Sequence, residues 1–142
     1  MTKKIYLDHI GIATHDLEES SAFWNLIGLI QGHEDEIVED QGVKTRFFDT
    51  SNGDASIKGP KVELLEPTSS DTPIGKFLDK RGPGIQQICF RVENLLEMIS
   101  LLKENGVSMI DEVPRIGAGG KNIAFVHPKS TGGVLVELTQ YD

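Results

Sequence analysis

One pattern runs through this chain twice, and the two copies agree at polar positions set inside apolar runs. Asp8-His9-Ile10-Gly11-Ile12-Ala13-Thr14 opens the first copy, and Gln86-Gln87-Ile88-Cys89-Phe90-Arg91-Val92 opens the second, 78 residues later. At that offset Asp16 meets Asn94, Leu17 meets Leu95 and Gly28 meets Gly106. Each copy closes on one phrase, Val62-Glu63-Leu64-Leu65 and Val136-Glu137-Leu138-Thr139, at an offset of 74. A repeat of this length constrains the chain to two like modules sharing a core. It also relates His9 to Gln87 and Glu63 to Glu137 across a pseudo-two-fold axis. Four polar residues on apolar strands are thereby expected to converge on one point, as a metal site requires.

Local patterns fill in each copy. Residues 5–13 alternate as a strand, with Ile5, Leu7, His9 and Gly11 on one face and Tyr6, Ile10 and Ile12 on the other. Asp16 is predicted to cap a helix, with Glu19 completing a capping box. That helix carries Phe23, Trp24 and Ile27 at helical spacing and stops at Gly28. Asn94, Glu97, Ile99, Leu102 and Gly106 repeat these parts. Strand-like runs follow at 31–39, 43–50 and 61–66, then at 107–112, 121–127 and 133–140, and Asn52-Gly53 reads as a turn. The linker 67–83 is expected to hold a short helix from Pro73, capped by Asp71 or Thr72. Each module, 5–66 and 84–140, thus reads βαβββ within a single domain spanning 1–142. A lone four-stranded sheet cannot bury both faces, so an α+β fold is expected, with curved mixed sheets paired around a cleft.

Bulk properties narrow the function. A net charge of −8 argues against nucleic-acid binding. No apolar run approaches the ~20 residues of a membrane span, and the first residues lack the apolar stretch of a secretory signal. The single cysteine, Cys89, rules out an internal disulfide and suits a reducing, cytoplasmic setting. Arg115, Lys121 and Lys129, each beside glycine or proline, are readable as a late basic patch or as ordinary solvated side chains.

Glu63 and Glu137 each sit amid apolar residues. A buried carboxylate costs several kcal/mol unless paired or metal-bound. The solvent face of a half-exposed strand explains either one alone, but less readily both at matched positions. An imidazole, an amide oxygen and two carboxylates form a mixed N/O set. Such a set suits Co²⁺, Ni²⁺, Mn²⁺ or Zn²⁺ with positions left for substrate oxygens.

The Asp-His-Ile-Gly-Ile-Ala opening, Val-Glu-Leu-Leu-Glu-Pro, and the Gly-Val-Leu-Val-Glu-Leu ending resemble the vicinal oxygen chelate superfamily, and within it the methylmalonyl-CoA epimerase family. Asp40-Gln41-Gly42-Val43, Thr72-Pro73-Ile74-Gly75-Lys76-Phe77-Leu78, Gly117-Ala118-Gly119-Gly120-Lys121 and His127-Pro128-Lys129 match as well, so the similarity covers about residues 6–140. The resemblance implies a glyoxalase-like fold and a divalent metal, Co²⁺ first, held by His9, Glu63, Gln87 and Glu137. It further implies a small-molecule acyl-CoA substrate and a homodimer. Two departures stand out. The family shows His-His where this chain has Gln86-Gln87, and some members place a glutamate base where Thr45 stands.

The implied reaction removes the proton between a thioester carbonyl and a carboxylate, then returns one to the opposite face. Glu137 would be one base, with Lys121, Thr45 or water at the other face. The late loop, with Arg115, Lys121, Lys129 and the amides of Gly117, Gly119 and Gly120, would meet the coenzyme A phosphates. A glyoxalase-type lyase or isomerase of the same fold, or a non-catalytic acyl-CoA or small-molecule binding module, are the alternatives.

Overall fold

Aspartate and asparagine at matched positions start matched helices. Asp16 Oδ1 accepts from the amides of Glu18 and Glu19 and opens α1, Leu17–Leu26. Asn94 Oδ1 accepts from the Glu97 amide and opens α3, Leu95–Glu104; between them in sequence lies α2, Pro73–Arg81. The Asp16 amide is donated to Thr14 Oγ1 rather than to Glu19, so the capping box expected there is half made. Both helices stop in one way. Gly28 and Gly106 take positive φ of 103° and 79°, and the next amide reaches back, Leu29 to the Trp24 carbonyl and Val107 to that of Leu102.

The computed structural model describes residues 4–50 and 59–140; the expected Asn52-Gly53 turn lies outside the described residues. The chain forms two compact units, His9–Gln86 and Met1–Asp8 with Gln87–Asp142. In the first, β1 (Ile5–Ala13) runs parallel to β5 (Lys61–Pro67), and β5 pairs antiparallel with β4 (Val43–Asp49). Two short strands, β2 (Ile30–Gln31) and β3 (Glu36–Val38), occupy successive stretches of β4. Leu17, Phe48, Val62 and Leu64 form the core here, with Ile12, Trp24 and Leu29 against it. In the second, β6 (Gly84–Val92) is parallel to β9 (Leu135–Gln140), followed antiparallel by β8 (Asn122–Val126) and β7 (Arg115–Ile116). Leu95, Ile99, Val92, Ala124, Val126 and Leu138 are its core. Among the described residues no helix is long and apolar enough to cross a membrane.

Three expectations need correction. The run 31–39 is broken, because Asp35 turns inward to meet Arg46. The run 107–112 is no strand. The Met109–Val126 bridge is isolated, the Phe125 carbonyl takes both the Ile110 and Asp111 amides, and the Phe125 amide goes to Asp111 Oδ2. The strand at that place in the module is β7 instead. On α1, Leu17, Ser21 and Trp24 face inward, while Phe23 and Ile27 are 58% and 56% exposed. Of the two caps proposed for α2, Thr72 is the one, accepting from the Gly75 amide at 3.1 Å.

Candidate metal centre

Register carries the repeat into three dimensions. In the parallel pair β1–β5, Gly11 lies opposite Glu63; in β6–β9, Cys89 lies opposite Glu137. Side chains two apart share a face, so His9 and Glu63 are diagonal neighbours on one face. Gln87 and Glu137 stand in the same relation in the other unit. All four are buried: His9 is 6% exposed, Glu63 3%, Gln87 4% and Glu137 4%. The solvent-face reading of the two glutamates is thereby excluded. His9 Nε2 stands 2.9 Å from Glu63 Oε2, and Gln87 Nε2 donates to Glu137 Oε1 at 3.1 Å.

Within each pair the spacing fits a hydrogen bond and also two donors on one ion. Donor atoms about 2.1 Å from one ion and 90–110° apart lie roughly 3.0–3.4 Å from each other. The Gln87 carboxamide offers its oxygen after a half-turn about its last torsion, since amide O and N are nearly equivalent in shape. Imidazole, carboxamide and two carboxylates are the hard-to-borderline donors a divalent cation takes.

Sequence reasoning passed over the aromatic neighbours of these pairs. Phe47 on β4 lies opposite Glu63, and Phe125 on β8 lies opposite Glu137. The signal was available, because Phe47 and Phe125 are also 78 apart. The Phe47 ring meets the His9 imidazole edge-on, with centroids 5.7 Å apart, and Lys61 Nζ lies 5.6 Å from the Phe47 centroid. Arg115 stands over Phe125 at 5.7 Å. An apolar wall beside each carboxylate lowers the local dielectric and strengthens its pull on a cation.

Strand ends are tied to helix starts by a second matched pair. Glu66 Oε1 accepts from the Leu17 amide at 3.1 Å, and Gln140 Oε1 from the Leu95 amide at 2.8 Å. Each acceptor lies three residues beyond its buried glutamate. The helix N-terminus therefore fixes β5 and β9 along their axes, and with them Glu63 and Glu137.

The remaining predicted residues divide. Thr45 is buried, and its hydroxyl donates to the Glu36 carbonyl at 3.2 Å, which ties it to the sheet. Arg115 is occupied by Asp111, 3.7 Å away, and by the Phe125 ring. The Gly117 amide goes to the Lys121 carbonyl and that of Gly120 to Gly117, so both are used inside the loop. Gly119 and Gly120 are exposed at the loop tip, each with φ of 70°. Lys129 is exposed and Lys121 half-buried, and among the described residues no ion pair engages either ammonium group.

An arginine that the sequence did not single out is fully engaged. Arg46 is 5% exposed. Its guanidinium forms a fork on Asp35, with Nε to Oδ1 and Nη2 to Oδ2 both at 2.7 Å. It also reaches Glu18, Ser21 Oγ and the Leu17 carbonyl. That hydrogen bonding, opposed by burial, holds the Asp35 carboxyl below its usual range and raises the arginine. The cluster pins α1 and the segment before β3 to β4.

Residues 8–125 match the Glyoxalase/Bleomycin resistance protein/Dioxygenase superfamily. The chain belongs to that superfamily and has its glyoxalase-like α+β fold. Its relatives narrow the family to the methylmalonyl-CoA epimerases. It is 40% identical over 138 residues to the ethylmalonyl-CoA/methylmalonyl-CoA epimerase of Cereibacter sphaeroides, covering 94% of this chain and 96% of that one. It is also 42% identical over 135 residues to YqjC of Bacillus subtilis, an uncharacterized protein, covering 94% and 91%. Among solved structures, Streptomyces coelicolor methylmalonyl-CoA epimerase in complex with 2-nitronate-propionyl-CoA superposes with a TM-score of 0.84 at 37% identity, covering 95% and 93%.

Proposed function

We propose that this chain is an isomerase that interconverts (R)- and (S)-methylmalonyl-CoA with a bound divalent ion. The observation that carries this reading is the burial of Glu63 and Glu137 at one register in both units, one beside His9 and the other beside Gln87. Epimerase relatives spanning nearly the whole chain supply the substrate class.

The substrate's α-proton lies between a thioester carbonyl and a carboxylate. Its removal gives an enolate, and return of a proton on the other face inverts the centre. Glu137 is the base on one face. Before an ion binds, Gln87 Nε2 holds its Oε1, and burial keeps competing water away. Lys121 is the chain's own candidate for the other face, since the Thr45 hydroxyl is committed to Glu36. His9, Glu63, Gln87 and Glu137 would hold the ion, with Co²⁺ ahead of Ni²⁺, Mn²⁺ and Zn²⁺. When bound, the ion supplies Lewis-acid stabilisation of charge developing on the substrate oxygens. Lys129, with the exposed loop tip at Gly119 and Gly120, is assigned to the coenzyme A moiety, Lys121 being taken by the proton transfer; the engagement of Arg115 removes it from that group. We place the enzyme in the cytoplasm, on the support of a single, buried cysteine, Cys89, that forms no internal disulfide, and take the assembly to be the homodimer implied by the family resemblance.

The test is stereochemical. Protein loaded with Co²⁺ should convert pure (S)-methylmalonyl-CoA to an equal mixture with the R form. It should form no lactoylglutathione from the methylglyoxal–glutathione hemithioacetal. The reverse outcome would make it a glyoxalase-type enzyme.

A further inference from the structure

The two units share a motif and differ in one charge. Each sets a cation on the aromatic ring beside its buried glutamate: Lys61 Nζ lies 5.6 Å from the Phe47 centroid, and Arg115 Cζ 5.7 Å from that of Phe125. Asp111 offsets the charge of Arg115. Lys61 is exposed, and among the described residues no ion pair engages its ammonium group.

Lys61 also stands at one end of a graded face of the first unit. Lys61, Glu63 and Leu65 share a face of β5. His9 lies opposite Lys61, Phe47 opposite Glu63, and Ala13 and Thr45 opposite Leu65. Ala13, Thr45 and Leu65 are at most 2% exposed, and His9 and Glu63 are buried. Phe47 is half-buried and Lys61 exposed. In this unit the face is closed at the Leu65 row and opens at Lys61, so a group that comes onto it beside Glu63 meets the ammonium first. The Phe47 ring holds that ammonium without cancelling its charge. On a chain of net charge −8, a held and unneutralised cation is a local attractor for an anion.

We propose that Lys61 receives the free carboxylate of the substrate's acyl group, and so favours acyl thioesters that carry such a carboxylate over those that do not. This rests on the acyl-CoA reading, but it uses residues of one unit alone and requires no ion. The phosphates of coenzyme A are a second source of negative charge, so the probes must differ in the carboxylate only.

The full chain is titrated calorimetrically with methylmalonyl-CoA and with propionyl-CoA, which lacks the acyl carboxylate. Wild type is expected to bind methylmalonyl-CoA more tightly. Lys61→Met keeps an apolar stem on Phe47 and removes the charge. It should weaken methylmalonyl-CoA by about tenfold while changing propionyl-CoA less than about twofold. In turnover the same variant should raise KM while kcat stays within about threefold, and Lys61→Arg should restore both affinity and KM. Lys61→Gln, a second uncharged variant, should give the same split. Equal weakening of both thioesters would set Lys61 against the phosphates, and unchanged binding of both would set it outside the site. Either result overturns the inference, while epimerisation by wild type leaves the proposed function standing. Wild type that binds the two thioesters alike overturns it without any variant. Wild type that binds neither removes the acyl-CoA reading, and the inference with it. A thermal melt matching that of wild type establishes that each variant is folded.

Discussion

At the residue scale, the four candidate ligands behave as two buried pairs, and each partner's removal has a different signature. Glu137→Gln keeps shape and volume but removes the base. It should lower epimerisation by about 10²- to 10⁴-fold while leaving acyl-CoA binding, measured by calorimetry, within a few fold. An equal loss of binding would make Glu137 a substrate anchor instead. Arg46 tests a different property. Arg46→Met strips the fork from Asp35, and breaking a buried pair of this kind costs about 3 kcal/mol; the Glu18 contact adds little, because that carboxylate is 83% exposed. Asp35 has a folded-state pKa below its ordinary 3.8. Its contribution is therefore complete above that value and disappears as pH falls through the lower folded value. Urea unfolding should show a wide gap between wild type and Arg46→Met at neutral pH, closing in acid. A gap unchanged by acid would mean that the arginine's packing matters and its charge does not.

At the scale of elements, the repeat was legible because matched polar residues do matched jobs. Asp16 and Asn94 cap, Gly28 and Gly106 stop the helices, and the offset of 78 survives into hydrogen bonds such as Leu29 to Trp24 and Val107 to Leu102. What the sequence hid were the partners that two aspartate side chains find, a guanidinium for one and a backbone amide for the other. Asp35 broke one strand-like run by turning to Arg46, and Asp111 ended another by taking the Phe125 amide. Neither run carries a clean apolar alternation, and residue types alone do not show which carboxylate finds an arginine or a backbone amide. Two sequence segments with no assigned role also turn out to touch. A Cβ at Gly42, whose φ is 63°, would collide with Thr72 at the cap of α2, and one at Gly75 would lie 2.6–2.7 Å from the carbonyls of Ser70 and Ser69. Gly42→Ala should therefore cost about 1–3 kcal/mol in thermal or urea unfolding, through backbone strain and the displaced cap. A neutral result would mean that the two segments part without consequence.

At the scale of the whole molecule, burial of two carboxylates is tolerable only with compensation; His9 and Gln87 give part of it, and the proposed cation would give the rest. Divalent ion at a hundredfold excess over its dissociation constant should raise stability by about 2.7 kcal/mol, seen as a melting temperature several degrees higher and reversed by chelator. The double variant Glu63→Gln with Glu137→Gln should lose that response. Symmetry in the sequence singled out four polar positions for the candidate site; all four are buried, and register accounts for their pairing within each unit. Phe47 and Phe125 escaped notice because aromatic residues in strands are ordinary core, although they share the same offset. The most direct measurement of the central claim is proton NMR of methylmalonyl-CoA in deuterium oxide. With wild type and added Co²⁺ or Mn²⁺, the α-proton signal is expected to vanish and the methyl doublet to collapse to a singlet. With Glu137→Gln it should persist on that timescale. Retention of the α-proton by wild type at every metal loading would contradict abstraction at this centre.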